Sequence, residues 1–234
     1  WCDINGDYHY DEGNDERYCN ECKPRRLILN YGYKPTPIFF HKIGKEKMYV
    51  DCKNDTRLVF GFELEVENHH EYYSCEDLAK ALNNSFGKLL YFKEDGSLDN
   101  GFEIVSHPMT YTYFKSNIDV FKRMLDVIKE HGFRSYDSDT CGLHITLSRR
   151  AFKHSHFLKF VDFFNNSSNF QLLKALSQRT ERSQNWARLS KDYDKRTMIE
   201  FAKNKDGGQN VERQKALNLQ NSNTMEIRLF RGTL

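Results

Sequence analysis

With 234 residues and a formal net charge of +2, the chain is long enough to bury a sizeable core but lacks the basic excess that marks most nucleic-acid-binding proteins. Charged residues at 29% beside 38% hydrophobic residues, with aromatics at 14%, exclude a disordered chain. No apolar run nears the roughly 20 residues that cross a bilayer, and no basic-then-apolar leader opens the chain, so the expectation is a reducing cytoplasmic setting without a membrane partner.

Residues 1–25 differ from the rest of the chain. They are rich in Asp, Glu, Tyr and Cys, carry no apolar stripe and run into Pro24-Arg25-Arg26; such a segment builds no core of its own. Cys19-Asn20-Glu21-Cys22 is a C-x-x-C knuckle, whose tight turn lets two thiolates grip one Zn²⁺. Cys2 and His9 would complete a structural zinc set, the metal taking the place of a core. Cys52 could replace His9, and a redox pair or a disordered tail are the rival readings. Such a knuckle docks or braces; it is not where chemistry is expected.

Residues 26–234 read as one α+β domain. Residues 49–52 and 58–67 have strand character. Ser74-Cys75-Glu76-Asp77 is a capping box, opening a helix with Leu78, Leu82 and Phe86 on one face and Gly87 past its end. Short strands over 88–92 and 102–105 flank the turn Glu94-Asp95-Gly96-Ser97. After Pro108 one long helix is predicted, with Phe114, Ile118, Phe121, Leu125 and Ile128 inward and His131-Gly132 as its stop. Residues 142–148 form a strand with Leu143, Ile145 and Leu147 on one face and His144, Thr146 and Ser148 on the other. Helices follow over 157–164 and 170–176, a mobile loop over 203–210, and strands over 216–219 and 225–230. Uneven helix lengths beside hairpin-like strand spacing favour α+β over a regular βαβ repeat.

In Gly61-Phe62-Glu63-Leu64-Glu65-Val66-Glu67, alternation puts three glutamates on one face and three apolar residues on the other. The like charges stand roughly 7 Å apart, from a rise of about 3.3 Å per residue. They repel unless neutralised, and a hard divalent ion such as Mg²⁺ is the natural remedy. A solvated outer face is the bland reading. Three more segments weigh against it, each setting a metal- or phosphate-competent group opposite apolar neighbours: Glu103 between Phe102 and Ile104, His144 between Leu143 and Ile145, and Glu226 with Arg228 in 225–230.

Gly61-Phe62-Glu63-Leu64-Glu65, Asp95-Gly96-Ser97-Leu98 with Glu103-Ile104-Val105-Ser106, Cys141-Gly142-Leu143-His144, Ala216-Leu217-Asn218-Leu219 and Thr224-Met225-Glu226-Ile227-Arg228-Leu229-Phe230-Arg231-Gly232 resemble, in order, the motifs of the amidoligase family of glutamine-synthetase-like carboxylate–amine ligases. The resemblance runs from about residue 58 to the end. It implies a curved antiparallel sheet with helices packed on one side, and ATP with two or three Mg²⁺ ions. It also implies an acyl phosphate that an amine converts to an amide. The partners would be an amino acid, peptide or protein bearing the carboxylate, and an amine acceptor. By resemblance Glu63 and Glu65 serve two different ions, Glu103 joining Glu65 while His144 and Glu226 join Glu63. Arg228 would contact the transferring phosphate, where its fixed fork suits phosphate oxygens.

Many relatives carry a second histidine where this chain has Thr146, a hydroxyl that donates a hydrogen bond without charge. Arg231 or Lys215 would then compensate in binding ATP. Glu67 is a rim candidate. Arg179, Arg182 and Arg188 are read as surface, with a substrate carboxylate contact as the alternative. Asn218 would orient substrate or brace the sheet, and His69, His70, His154 and His156 are surface residues. Two other classes stay open: a metal-dependent nuclease with a zinc knuckle, and a noncatalytic ligase-like binding module.

Overall fold

The alternation that sets glutamates opposite apolar residues is realised at the centre of a sheet. The computed structural model describes residues 26–40, 57–70, 72–180, 187–189 and 215–233. Its elements in chain order are β1 (Ile28–Leu29), β2 (Val59–Asn68), α1 (Cys75–Phe86), β3 (Leu90–Lys93), β4 (Gly101–Ser106), β5 (Met109–Thr110), α2 (Tyr111–Ser116), α3 (Ile118–Glu130), β6 (Phe133–Arg134), β7 (Gly142–Ser148), α4 (His154–Asn165), α5 (Phe170–Ser177), β8 (Leu217–Asn218) and β9 (Thr224–Arg231). Residues 1–25 with Cys2, His9, Cys19 and Cys22, the strand expected over 49–52 with Cys52, Arg182 and the loop expected over 203–210 lie outside the described residues.

The described strands form one open sheet in the order β1-β3-β4-β2-β7-β9-β8, with β5 and β6 also pairing with β2. Only β1 and β3 run parallel among these pairs. Phe62, Ile145 and Ile227 are successive cross-strand partners on one face, and that face carries the apolar residues. Leu78 and Leu82 of α1 and Phe121, Met124 and Ile128 of α3 pack on its β2–β4 half. Phe157, Val161 and Phe164 of α4 and Leu173 of α5 pack on its β7–β9 half. The helices therefore cover one face, and the acids keep the other.

Ser74 caps α1, its side chain accepting from the Asp77 N–H while the Asp77 carboxylate accepts from the Ser74 N–H. The single long helix expected after Pro108 is instead two. Asn117 separates them: its N–H closes the last turn of α2 on Phe114 and Tyr113, and its Nδ2 donates to the Tyr113 carbonyl at 2.8 Å. Restarting the helix shifts its phase, so Ile118 is 37% exposed and Met124 and Val127 take inward places. The strand expected over 88–92 lies two residues later, as Leu90–Lys93, and this carries Lys93 into the sheet beside Glu103.

Glu67 is not a rim residue. Ser138 Oγ and Thr140 Oγ1 both donate to its carboxylate, the latter at 2.6 Å, and the Asp99 N–H donates at 3.1 Å. Burial alone would raise this carboxyl, but the three donors hold it below its ordinary range. It ties the loops before β4 and β7 to β2. Glu67→Ala would leave the buried Ser138 hydroxyl and the half-buried Thr140 hydroxyl without their acceptor, at a cost of about 2–3 kcal/mol in urea-unfolding free energy. Mn²⁺ binding should stay at the wild-type level.

Between Leu143 and Ile145, β7 holds one residue, His144. Between their partners Phe230 and Ile227, β9 holds two, Arg228 and Leu229. This is a β-bulge.

Candidate metal centre

Strand register builds the site in rows. Tyr91, Val105, Glu63 and His144 form one row across β3, β4, β2 and β7. Lys93, Glu103 and Glu65 form the next. On the other side of the first lie Gly61, Thr146, Glu226 and Asn218. Residues as far apart in sequence as Glu63 and Glu226 become neighbours through pairing alone.

Two groups of potential ligands result: Glu63, His144 and Glu226, and Glu65, Asp95 and Glu103. Within each group one ligand atom per residue lies within 4.8 Å of the others. His144 joins the two. Its Nδ1 is 3.8 Å from Glu63 Oε2 and 3.5 Å from Glu226 Oε1, and its Nε2 is 3.7 Å from Glu65 Oε1. The side chain is 2% exposed, yet Nδ1 has no hydrogen-bond partner among the described residues. A buried imidazole nitrogen left unpaired costs stability. Separations of 3.5–3.8 Å are long for hydrogen bonds. They suit two ligands of one Mg²⁺, which at roughly 2.0–2.1 Å from the ion lie about 3–4 Å apart. The residues fit a divalent ion.

The electrostatics agree. Burial pushes Glu103 up to about 8, with the Glu63 charge adding and Lys93 opposing. Burial also raises Glu65, Asp95 adding to it and His144 opposing. Glu63 is held low despite its burial, chiefly by His144, with Lys93 and Arg228 contributing. Asp95 is low despite burial because the Ser97 hydroxyl and N–H both donate to its carboxylate, at 2.7 Å each. Among the described residues, the cations near the second group do not offset its burial, although Lys93 Nζ lies 2.6 Å from Glu103 Oε2.

Around these groups the other expected residues fall into place unequally. Arg228 Nη1 donates to Glu226 Oε1 at 2.7 Å and Asn218 Nδ2 to Glu226 Oε2 at 2.8 Å, so Asn218 orients a candidate ligand. Thr146 lines, with Gly61, Glu63, Tyr91 and Ser106, a cavity of about 780 Å³ whose walls are largely apolar. Arg231 stacks on the Tyr136 ring at 4.1 Å. Lys215 bridges to Arg188 just before β8, and Arg188 is exposed, as are His69, His70, His154 and His156.

Arg179 corrects the surface reading. It is 7% exposed, and burial lowers its guanidinium to about 10, with Glu65 opposing the shift. Gln178, in the left-handed conformation at φ 51°, ends α5 immediately before it. A Cβ on Gly142 would come within 2.5 Å of Arg179 Nη2, so only glycine leaves room for that guanidinium. Asp95 and Lys93 were not singled out from the sequence as site residues. The signal for Asp95 was its turn, Asp95-Gly96-Ser97, eight positions before Glu103; that for Lys93 was a lone charge ending an apolar strand.

No protein-family model matches the chain, and no curated protein matches it. Among the described residues no helix is long and apolar enough to cross a membrane.

Proposed function

We propose that this chain is an ATP- and magnesium-dependent carboxylate–amine ligase. The observation that carries the reading is the pair of three-residue groups meeting at His144, whose buried Nδ1 lacks a partner among the described residues. Glu63, His144 and Glu226 would hold one ion, and Glu65, Asp95 and Glu103 another. Bound there, divalent ions would neutralise charge on the phosphate oxygens, the main demand of phosphoryl transfer.

The protein's own groups do the rest. The cavity beside Glu63 and Thr146 takes the nucleoside, its apolar walls burying the base. Thr146 donates to a nucleotide phosphate, and Arg228 presents its fork to the γ-phosphate. Asn218 and Arg228 hold Glu226 from two sides, so the ligand side chain is pre-oriented. The substrate carboxylate oxygen attacks the γ-phosphorus and ADP leaves. The amine nitrogen then attacks the acyl carbon, phosphate leaves, and the nitrogen gives up a proton as the amide forms. A structural zinc at Cys2, His9, Cys19 and Cys22 remains part of the proposal on sequence grounds alone.

Incubation with Mg-ATP and pooled amino acids or peptides tests the reading by ADP release. Release that depends on both Mg²⁺ and an added amine is the expected result. Nucleotide binding without turnover would instead favour the noncatalytic module that the uncharged Thr146 keeps in view. Absence of both ADP release and ATP binding would sink the ligase, and Mn²⁺-dependent cleavage of nucleic acid lost in Glu63→Ala would replace it with a nuclease.

A further inference from the structure

Glu226 stands opposite Thr146 on the acidic face of the sheet. Under strict alternation Phe230 would share that face and Arg231 would point to the helix-covered side. The extra residue in β9 reverses this. Phe230 pairs with Leu143 and packs into the apolar cluster of α4 and α5, while Arg231 pairs with Gly142, whose empty Cβ position is lined by Arg179, His144 and Glu65. One bulge therefore lets Glu226, Arg228 and Arg231 all serve the same face.

A bulge interrupts the ladder, and its backbone groups need partners of another kind. The Arg228 N–H donates to the Ala216 carbonyl at 2.8 Å, and one side chain serves the two carbonyls. Arg179 Nε donates to the Leu229 carbonyl at 3.2 Å, and its Nη2 donates to the Arg228 carbonyl at 3.0 Å. Both carbonyls belong to the two bulged residues. The guanidinium reaches them across Gly142, the one place on β7 where no side chain blocks the approach. A planar fork can span two adjacent carbonyls, whereas a lysine ammonium is a single point of charge.

The structure assigns Arg179 as a positioning residue: by stapling the β9 bulge it fixes Arg228 and Arg231 on the metal-binding face, in place to receive nucleotide phosphates. The nucleotide part rests on the ligase reading; the staple itself does not. Arg179 acts through the backbone of β9: Glu226 lies on the regularly paired side of the bulge, and of its two holds only the one from Arg228 depends on the staple, not the one from Asn218.

The test compares Arg179→Met and Arg179→Lys with wild type, using Mn²⁺ and a fluorescent trinitrophenyl-ATP as probes. Arg179→Met should weaken nucleotide binding about tenfold, a loss near 1.4 kcal/mol, and Mn²⁺ affinity by clearly less, since Glu226 keeps its hold from Asn218 when the one from Arg228 loosens. Added ethylguanidinium should restore nucleotide binding to a further variant, Arg179→Ala, whose removed atoms it replaces, and Arg179→Lys should not substitute for wild type. A general structural role would weaken Mn²⁺ and nucleotide binding to the same degree and leave no rescue; that result, or unchanged nucleotide affinity in Arg179→Met, overturns the assignment. If wild type binds no nucleotide, the ligase reading falls and backbone hydrogen exchange decides. Loss of protection in Arg179→Met confined to the amides of β9 around residues 228–231 supports the staple, and uniform or unchanged exchange removes it.

Discussion

Replacing His144 with alanine is expected to abolish Mg²⁺-dependent ADP release, lowering it by about three orders of magnitude, which corresponds to about 4 kcal/mol of transition-state stabilisation. The size follows from position. Among the described residues, His144 is the one within reach of both carboxylate groups, with Nδ1 directed to Glu63 and Glu226 and Nε2 to Glu65. Its removal leaves the acids of each group facing one another across a gap without the imidazole nitrogen that completes the first set. Metal titration separates the two meanings of such a loss. Mn²⁺ affinity should fall with activity in His144→Ala, while far-UV circular dichroism stays unchanged. Turnover within tenfold of wild type would remove His144 from the centre of the site.

In the presence of a chelator, stability is expected to fall as the pH rises from about 4.5 through about 8, and Mg²⁺ should restore it. Glu103 has a carboxyl raised to about 8 from an ordinary value of 4.5. A raised acid favours folding in its protonated form, so its contribution is complete below the unfolded value and is lost as pH climbs through the folded one. Glu65, also raised by burial, acts in the same direction. Glu63 and Asp95, held low, contribute stability above their ordinary values and lose it only on acidification, so they do not offset the loss across this window. At about 1.36 kcal/mol per pH unit the rise from 4.5 to about 8 makes the Glu103 effect on the order of 5 kcal/mol, or about 10–20 °C in melting temperature for a chain of this size. Glu103→Gln should flatten the profile in chelator and abolish most of the Mg²⁺-induced rise, as read by thermal unfolding at several pH values. A profile in Glu103→Gln as steep as in wild type would place the charge excess elsewhere.

How much of this could be read from the chain depends on what kind of neighbour each residue has. Glu63, Glu65 and His144 stand in strands of strict period two, where face follows from parity, and pairing brings Glu63 near His144 and Glu226 and Glu65 near Glu103. Parity also misled: Glu67 shares the face of Glu63 and Glu65, but its partners Ser138 and Thr140 come from a loop some seventy residues on, which no local pattern announces. Asp95 lies in a turn, where side-chain direction has no period. The phase of α3 was lost at Asn117, because a side-chain hydrogen bond back to Tyr113 restarts the helix where the apolar spacing reads as continuous. Arg179 looked like a solvated charge because its burial depends on the missing side chain at Gly142 and on a bulge in a strand fifty residues later. The bulge left one trace, the adjacent apolar pair Leu229-Phe230 breaking the alternation that begins at Thr224.

That pair also makes β9 unequal in the kinds of change it can accept. Conservative exchanges at Ile227, Leu229 or Phe230 keep the count of residues between Glu226 and Arg231 and so keep both on one side. Loss of a single codon within that stretch would straighten the ladder and carry Arg231, or else Glu226, through the sheet to the helix side, where an unpaired charge has no place. Lineages of this protein should therefore vary freely in the identity of these residues while their number stays constant.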